Sequence, residues 1–286
     1  MKVYIIGAGP GAADLITLRG AAILNRAKMV LYAGSLVPTG ILVHCHPDAE
    51  ILDTSKLDLE QQQACYVRAQ LANCDVARLH SGDPAIYGAT AEQMRRLDAL
   101  GIAYEVVPGV SSFTAAAAVV CSELTKPEVS QSIIITRVSG RASAVPALES
   151  IALLAAHRAT MCIFLSGPHM KKIVTDLQLH YPDDTPVTLV YRASWPDERV
   201  YQGTLGTVLK ENKRGEWNLT TMMLVGAAIG HGPQVESRLY SKDFKHLFRA
   251  KAKKRAVKAV VSAEVPVLTD QPQDQPQDQP QDQVLA

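Results

Sequence analysis

The sequence predicts an α/β protein made of two domains. Short β-branched runs alternate with longer helical segments as far as residue 247, and this alternation is typical of sheets covered by helices. A chain of 286 residues is long enough to build two hydrophobic cores. We therefore expect an N-terminal α/β domain over residues 1–122, a C-terminal α/β domain over 123–247 and a disordered tail over 248–286.

The first predicted domain consists of strands and helices in regular succession. A strand opens the chain and runs into a glycine-rich turn, and each later strand ends at a cluster of Gly, Pro or Ser. A small-residue helix that Ser111 or Ser112 could cap closes this domain. The predicted strands are 3–6, 29–32, 75–79 and 103–107, and the predicted helices are 15–26, 59–73, 90–100 and 111–121.

The second predicted domain has more strands, and a segment of different composition follows it. The predicted strands are 131–137, 160–165, 186–191, 199–203 and 221–226, and the predicted helices are 148–156, 170–180 and 205–213. After Phe248 come a basic block and Asp-Gln-Pro-Gln repeats without aromatic residues. Such a segment buries too little apolar surface to offset its ordering entropy, so it is predicted to be disordered.

The charge balance limits the classes of partner. The net charge is +1, and residues 1–248 carry 23 charges of each sign once the mixed tail is set aside. A globally basic nucleic-acid-binding protein is therefore excluded, and a neutral body that binds an anionic ligand must place its cations locally. No apolar run is long enough for a membrane span, and the five scattered cysteines suit reduced thiols. We expect a cytoplasmic protein without membrane or nucleic-acid partners.

The glycine-rich turn after the first strand permits two interpretations. Its spacing of Gly7, Gly9 and Ala12 matches the dinucleotide fingerprint, which would indicate an NAD(P)-dependent oxidoreductase. That interpretation requires an acidic residue after the second strand, and none stands there. Pro10 also removes an amide donor from the turn. A tight turn that serves packing is the alternative.

Three further loops are predicted at the ends of other strands, over residues 81–84, 108–112 and 166–168. Each contains small residues whose backbone amides or hydroxyls could meet a ligand, and Asp83 carries the only carboxylate among them. The carboxyl ends of parallel strands lie at one edge of a sheet, so these loops are predicted to line a shared crevice. Asp83 would contact the ligand there or cap the following turn.

Several of these segments resemble the tetrapyrrole methylases, over roughly residues 2–247. Three carry the family resemblance, namely GAGPGAADLITLRG (7–20), SGDPAIYG (81–88) and VPGVSSF (107–113). Three others resemble the branch of the family that acts on precorrin-4 in cobalamin synthesis, namely YAGSLV (32–37), QSIIITR with the following GR (131–141) and RASWPD (192–197).

The resemblance implies a tetrapyrrole methylase-like fold, usually homodimeric, that binds S-adenosylmethionine in the cleft between two α/β domains. It implies methylation of precorrin-4 at C11 to give precorrin-5, or of cobalt-precorrin-4 in the anaerobic branch; the segments 75–83 and 140–144 favour the metal-free type. The residues that match the cofactor-binding positions of the family are Pro10, Ser81, Gly82, Asp83, Ile86, Ser111, Ser112, Ser166, Ala193 and Thr221.

Substrate binding calls for other residues, because the tetrapyrrole carries many acetate and propionate groups. Arginine binds carboxylates in a bidentate manner, so arginines that follow strands of the second domain are candidates. No residue is assigned as a general base, and a non-enzymatic tetrapyrrole carrier is a further alternative. The predicted substrate-binding residues are Tyr32, Ser35, Lys126, Arg137, Arg141 and Arg192.

The segment His44-Cys45-His46 raises the question of a metal site. In a strand, His44 and His46 would share one face and Cys45 would point away. No fourth ligand with suitable spacing follows, so no metal is expected.

Overall fold

The structure is a computed structural model that describes residues 1–139, 144–212 and 217–230, together with Ser237, Ser241, Phe244, Lys245 and Leu247. The chain divides into two compact units, residues 1–236 and 237–286. Within the described residues, all helices and strands belong to the first unit. Arg141 and the predicted tail with its repeats lie outside the described residues.

The first half of the larger unit is built on a five-stranded parallel sheet, with strand order β3-β2-β4-β1-β5. The strands β1 and β4 near its centre are almost completely buried. Strand β1 is largely apolar, whereas β4 also carries the buried Arg78 and His80. The strands are β1 (Val3–Gly7), β2 (Met29–Tyr32), β3 (Glu50–Asp53), β4 (Val76–His80) and β5 (Tyr104–Val107).

Helices cover this sheet, and local hydrogen bonds fix where two of them begin. Thr17 caps the first helix through a bond from the Gly20 amide, and Asp58 forms a reciprocal capping box with Gln61 at the start of the second. Helix α1 is therefore shorter than predicted, since a 3-10 turn at Ala13–Leu15 precedes Thr17. The helices are α1 (Leu18–Leu24), α2 (Leu59–Leu71), α3 (Thr90–Ala99) and α4 (Ser112–Val119).

The second half contains a mixed five-stranded sheet with strand order β6-β7-β10-β8-β9, in which only β6 and β7 pair in parallel. The strands are β6 (Ile133–Arg137), β7 (Thr160–Phe164), β8 (Pro186–Tyr191), β9 (Arg199–Thr204) and β10 (Thr221–Val225). The helices are α5 (Ile151–Ala155), α6 (Met170–Leu177) and α7 (Val208–Glu211). The α/β class predicted from the sequence is confirmed.

Helix α4 joins the two halves. It follows the last strand of the first sheet, yet its buried residues Ala115, Ala116 and Ala117 pack against Met222 and Leu224 of β10. Alanine side chains let a helix lie close to the strands beneath it. The loops that precede α4 are consequently held near the edge of the second sheet.

Two local features differ from what the sequence analysis considered. Strand β3 was not predicted, because it is an exposed edge strand whose residues lack an apolar alternation. The segment with His44 is not a strand but the end of a 3-10 helix, Thr39–His44. No described helix has the length and apolar character needed to cross a bilayer.

Candidate active site

A cavity of about 230 Å³ lies between the two halves. Loops that follow β1, β4 and β5 form one wall, and the ends of β7, β8 and β10 form the other. The lining residues are Pro10, Leu36, Ser81, Gly82, Asp83, Ile86, Tyr87, Ser111, Ser112, Phe164, Leu165, Val190, Arg192, Ala193, Trp195, Leu219, Thr220, Thr221 and Met222.

In the first wall, three loops are tied to one another through their backbones. The Gly9 and Gly82 amides each donate to the carbonyl of the other residue, at 3.3 and 2.8 Å. Gly7 and Gly109 are in close contact, and a Cβ on Gly7 would lie 2.6 Å from both Gly109 Cα and Gly82 O. Glycine is required where three backbones meet this closely.

Asp83 braces this wall with both of its carboxylate oxygens. Oδ1 accepts a hydrogen bond from the Ala85 amide at 2.8 Å, and Oδ2 accepts one from the Gly109 amide at 3.0 Å. The side chain thus caps its own turn and links the β4 loop to the β5 loop. It still lines the cavity, where its remaining lone pairs face a ligand.

The second wall carries an arginine stacked between aromatic rings. The Arg192 guanidinium carbon lies 5.2 Å from the ring centre of Tyr191 and 4.8 Å from that of Trp195. Its Nη1 donates to Asp197 Oδ2 at 2.6 Å. Its Nε is buried and has no hydrogen-bond partner among the described residues. A buried N–H without a partner at a cavity wall suits an anionic or carbonyl ligand.

A second polar atom of this wall is also unsatisfied. Thr221 Oγ1 is buried and has no partner within the described part of the chain. Ser166 lies behind Thr221 and is fully buried, and its hydroxyl donates to the Thr221 carbonyl at 3.0 Å. Ser166 therefore holds the strand end in place, whereas Thr221 itself lines the cavity.

Apolar side chains surround the mouth of the cavity. Leu36, Tyr87, Leu165 and Leu219 line it while remaining between 39% and 56% exposed. The Tyr87 ring meets the Phe164 ring edge-on, with ring centres 5.1 Å apart, and so bridges the two walls. A large apolar ligand would cover this rim.

Most of the predicted cofactor residues converge on this cavity. Nine of the ten line it, together with Arg192 from the predicted substrate set. Ser166 is the tenth cofactor residue, and it lies beneath the wall. The structure thus brings together loops that the sequence separates by more than 200 residues.

The other predicted substrate residues that the structure describes lie outside the cavity. Tyr32 and Ser35 precede its lining residue Leu36 in the chain and do not line the cavity themselves. Lys126 is buried, and its Nζ donates to the Gly230 carbonyl at 2.7 Å. Arg137 lines a neighbouring groove, where its guanidinium lies 5.8 Å from the Tyr87 ring centre.

Sequence reasoning missed several apolar lining residues, above all Tyr87, Leu165 and Leu219. Single apolar residues in loops carry no periodicity that would reveal them. A positive φ of 53° at Tyr87 and 55° at Leu165 marks two of them in the structure. Non-glycine residues in this conformation often accompany ligand sites.

A buried polar cluster supports the first wall from behind. Arg78 on β4 is buried, and its guanidinium donates to Thr54, Gln62 and Gln93. His80, two residues along the same strand, is also buried. Burial, with Arg78 as a second cause, lowers the pKa of His80 to about 3. His80 is therefore neutral at physiological pH and gives the wall no titrating charge.

Among the described residues, no group of three His, Cys, Asp or Glu side chains is arranged to hold a metal ion. His44 Nε2 lies 3.0 Å from the Ala13 carbonyl oxygen, and His46 Nδ1 accepts a hydrogen bond from the Asp48 amide. Both imidazoles are engaged in local backbone contacts.

The fold is that of a two-sheet α/β protein with a cavity between its two halves. The family model for Tetrapyrrole (Corrin/Porphyrin) Methylases matches residues 2–209. The chain belongs to this family. The dinucleotide interpretation of the glycine-rich turn is set aside accordingly.

Three individual proteins show which members of the family this chain is similar to. The chain is 45% identical to a precorrin-4 C(11)-methyltransferase of Pseudomonas aeruginosa, over 87% of this chain and 99% of that protein. It is 40% identical to a cobalt precorrin-4 methyltransferase of known structure, with a TM-score of 0.77 over 80% of this chain and 96% of that one. A uroporphyrin-III C-methyltransferase from Thermus thermophilus, solved with S-adenosylhomocysteine, is 25% identical, with a TM-score of 0.66 over 80% and 93% of the two chains.

Proposed function

We propose that this protein transfers a methyl group from S-adenosylmethionine to C11 of precorrin-4, giving precorrin-5 in cobalamin biosynthesis. The observation that carries the proposal is the 45% identity to a precorrin-4 C(11)-methyltransferase over nearly the full length of that protein. The cavity between the halves supplies the site, because it collects the family's motif loops in one place.

The residues of the cavity fit S-adenosylmethionine. The Gly82 loop and the start of α4 offer small residues and backbone amides, and the first amides of a helix lack intrahelical partners. The unpartnered Thr221 hydroxyl and Arg192 Nε offer further polar contacts. We assign cofactor binding to Pro10, Ser81, Gly82, Asp83, Ile86, Ser111, Ser112, Ala193 and Thr221, with Ser166 supporting Thr221.

The protein's task in this reaction is to position the reactants and exclude water. S-adenosylmethionine, when bound, supplies an electrophilic methyl group on a sulfonium centre. The backbone-tied loops of the first wall hold the donor side rigid, and the apolar rim keeps water from the transfer path. Both Asp83 oxygens are engaged with backbone amides, so we assign Asp83 to positioning rather than to proton transfer.

We assign the tetrapyrrole to the rim of the cavity and the surface beside it. The exposed faces of Leu36, Tyr87 and Leu219 suit the apolar ring, and Arg192 and Arg137 supply cations for its carboxylates. We assign Tyr32 and Ser35 to the same side, because they precede Leu36 in the chain. Lys126 is buried against Gly230, so we give it a structural role instead.

We propose that the substrate is metal-free. The relative that acts on precorrin-4 is 45% identical, whereas the cobalt precorrin-4 methyltransferase of known structure is 40% identical. The two sequence identities differ by only five percentage points, so the experiment below compares precorrin-4 with cobalt-precorrin-4.

We further propose a cytoplasmic homodimer whose chain comprises domains 1–122 and 123–247 and the tail. Leu18 and Val43 are 91% and 77% exposed on the first half, and a second copy would cover such side chains. Light scattering after size-exclusion chromatography measures the mass directly, and a monomeric mass contradicts this part of the proposal.

The function is tested by incubating the purified protein with isotopically methyl-labelled S-adenosylmethionine and either precorrin-4 or cobalt-precorrin-4. We expect one labelled methyl in the precorrin-4 product by mass spectrometry, located at C11 by NMR, and slower turnover of the cobalt form. Binding of precorrin-4 without methyl transfer would instead support a tetrapyrrole carrier.

A further inference from the structure

The indole of Trp195 links the second half of the molecule to the glycine-rich turn of the first half. Its Nε1 donates a hydrogen bond to the Pro10 carbonyl at 2.8 Å, across 185 residues of sequence. Its ring lies directly on Gly11, where an added Cβ would collide with Cδ1 and lie 2.5 Å from Nε1. Only glycine at position 11 leaves room for this contact.

Ser194 makes a second link beside the first. Its Oγ accepts a hydrogen bond from the Ala12 amide at 3.0 Å. Two successive residues of the loop after β8 thus hold two positions of the turn after β1. Pro10 and Trp195 both line the cavity, so these bonds join its two walls at one end.

The loop that carries Trp195 is itself braced. The Ser194 amide donates to Glu198 Oε2 at 2.6 Å, and Arg192 pairs with Asp197 while stacking on the Trp195 ring. Arg192 and Ser194 have positive φ values of 50° and 67°. Residues that are not glycine keep this costly conformation only where the surroundings enforce it. The bracing therefore presents the indole N–H and the Ser194 hydroxyl in a fixed direction.

We infer that Trp195, assisted by Ser194, is a positioning residue that fixes the distance of Pro10 from the second wall and thereby sets the width of the cofactor site. The inference rests on the proposed function, because it concerns the same cavity. The loop after β8 then has a role beyond lining the cavity. It determines the position of the glycine-rich turn after β1 when a ligand binds.

The two tryptophans of the chain provide a matched experiment. Trp217 is also half-buried, and its Nε1 donates to Asn212 Oδ1 at 2.7 Å, but it does not line the cavity. Trp195→Phe and Trp217→Phe therefore remove the same indole N–H donor, one at the cavity and one away from it. Each variant also retains a single tryptophan as a fluorescent reporter.

Calorimetric titration with S-adenosylhomocysteine measures the effect on binding. We expect Trp195→Phe to raise Kd about fivefold, the usual scale for one lost hydrogen bond, and Trp217→Phe to leave Kd unchanged. Tryptophan fluorescence should respond to the ligand in Trp217→Phe and stay constant in Trp195→Phe. Thermal unfolding of both variants separates a general loss of stability from a specific loss of affinity.

A double-mutant cycle tests the joint role of the two links. Because Trp195 and Ser194 hold the same turn, the effects of Trp195→Phe and Ser194→Ala on Kd should be non-additive. Equal Kd values for the wild type and Trp195→Phe overturn the inference while leaving the proposed function intact. Absence of S-adenosylhomocysteine binding by the wild type would count against the proposed function itself.

Discussion

The two walls of the cavity differ in how many of their polar groups already have hydrogen-bond partners within the protein. In the first wall, the backbones of Gly9 and Gly82 are hydrogen-bonded to each other, and both carboxylate oxygens of Asp83 accept hydrogen bonds from backbone amides. In the second wall, Arg192 Nε and Thr221 Oγ1 are buried without partners among the described residues. His80 Nε2, behind the first wall, is also buried without a partner among the described residues, but it does not line the cavity. The second wall therefore holds the cavity-lining groups that gain most from a ligand.

The largest effect is expected from disturbing the first wall. A Cβ on Gly109 would collide with the Gly82 carbonyl and lie 2.7 Å from Gly7 Cα. Because backbone atoms at the ends of buried strands have little room to yield, Gly109→Ala should destabilise the protein by about 3 kcal/mol or more. Chemical denaturation measures this loss.

Gly40→Ala is the control for that substitution, because nothing lies within 4 Å of a Cβ at this position. Its free energy of unfolding should stay within about 0.5 kcal/mol of the wild type. If Gly109→Ala and Gly40→Ala have the same free energy of unfolding, the three loops are packed less tightly than their contacts imply. The first wall would then be less rigid than we infer.

The second prediction concerns the pH dependence of the buried cluster behind the first wall. Burial lowers the pKa of His80 to about 3, so at pH 5 the unfolded chain protonates this histidine and the folded protein does not. The stability due to neutral His80 is complete above about pH 6.5 and is lost as the pH falls. With an ordinary pKa near 6.5 in the unfolded chain, the loss between pH 7 and pH 5 is about 2 kcal/mol.

Urea unfolding at the two pH values, carried out on the wild type and on His80→Gln, measures this contribution. The variant should lose stability less steeply on acidification, whereas His157→Gln, at an exposed position, should follow the wild type. Parallel behaviour of His80→Gln and the wild type would show that His80 does not carry the dependence.

The third prediction addresses the second wall. Thr221→Val removes the unpartnered hydroxyl with almost no change of shape, and the backbone carbonyl that Ser166 contacts remains. We expect unchanged or slightly higher stability, because a buried unsatisfied group is lost, together with about tenfold weaker binding of S-adenosylhomocysteine. Thermal unfolding and calorimetric titration give the two quantities.

Ser166→Ala provides the contrast for Thr221→Val. Its hydroxyl bonds within the protein, so its removal should cost about 1 kcal/mol of stability. If Thr221→Val also lowers stability, the Thr221 hydroxyl has a structural partner and the difference between the walls disappears.

The sequence revealed the polar part of this site better than its apolar part. Gly82, Asp83 and Ser111 stand in motif loops at predicted strand ends, and the rule that parallel strands end at one edge brings them together. Leu219 and Tyr87 were not predicted, because their place at the mouth of the cavity depends on how the two halves pack against each other. Lys126 was predicted to bind substrate, yet its buried bond to Gly230 depends on a contact between residues 104 apart. Sequence patterns report local structure and miss such distant partners.

The smallest effect is expected at Arg137, beyond the cavity. Its guanidinium lies over the Tyr87 ring in the neighbouring groove and does not line the cofactor cavity. Arg137→Ala should therefore weaken tetrapyrrole binding about three- to fivefold, through loss of one carboxylate contact, and leave S-adenosylhomocysteine binding intact.

Equilibrium titrations with a stable tetrapyrrole carboxylate and with S-adenosylhomocysteine separate these two outcomes, and Arg95→Ala at an exposed position of α3 controls for the loss of one positive charge. Unchanged tetrapyrrole affinity in Arg137→Ala would leave Arg192 as the principal candidate for carboxylate binding. A loss of affinity for both ligands would mean that Tyr87 transmits the change into the cavity. The rim would then couple the two walls, because the Tyr87 ring contacts the Phe164 ring of the second wall.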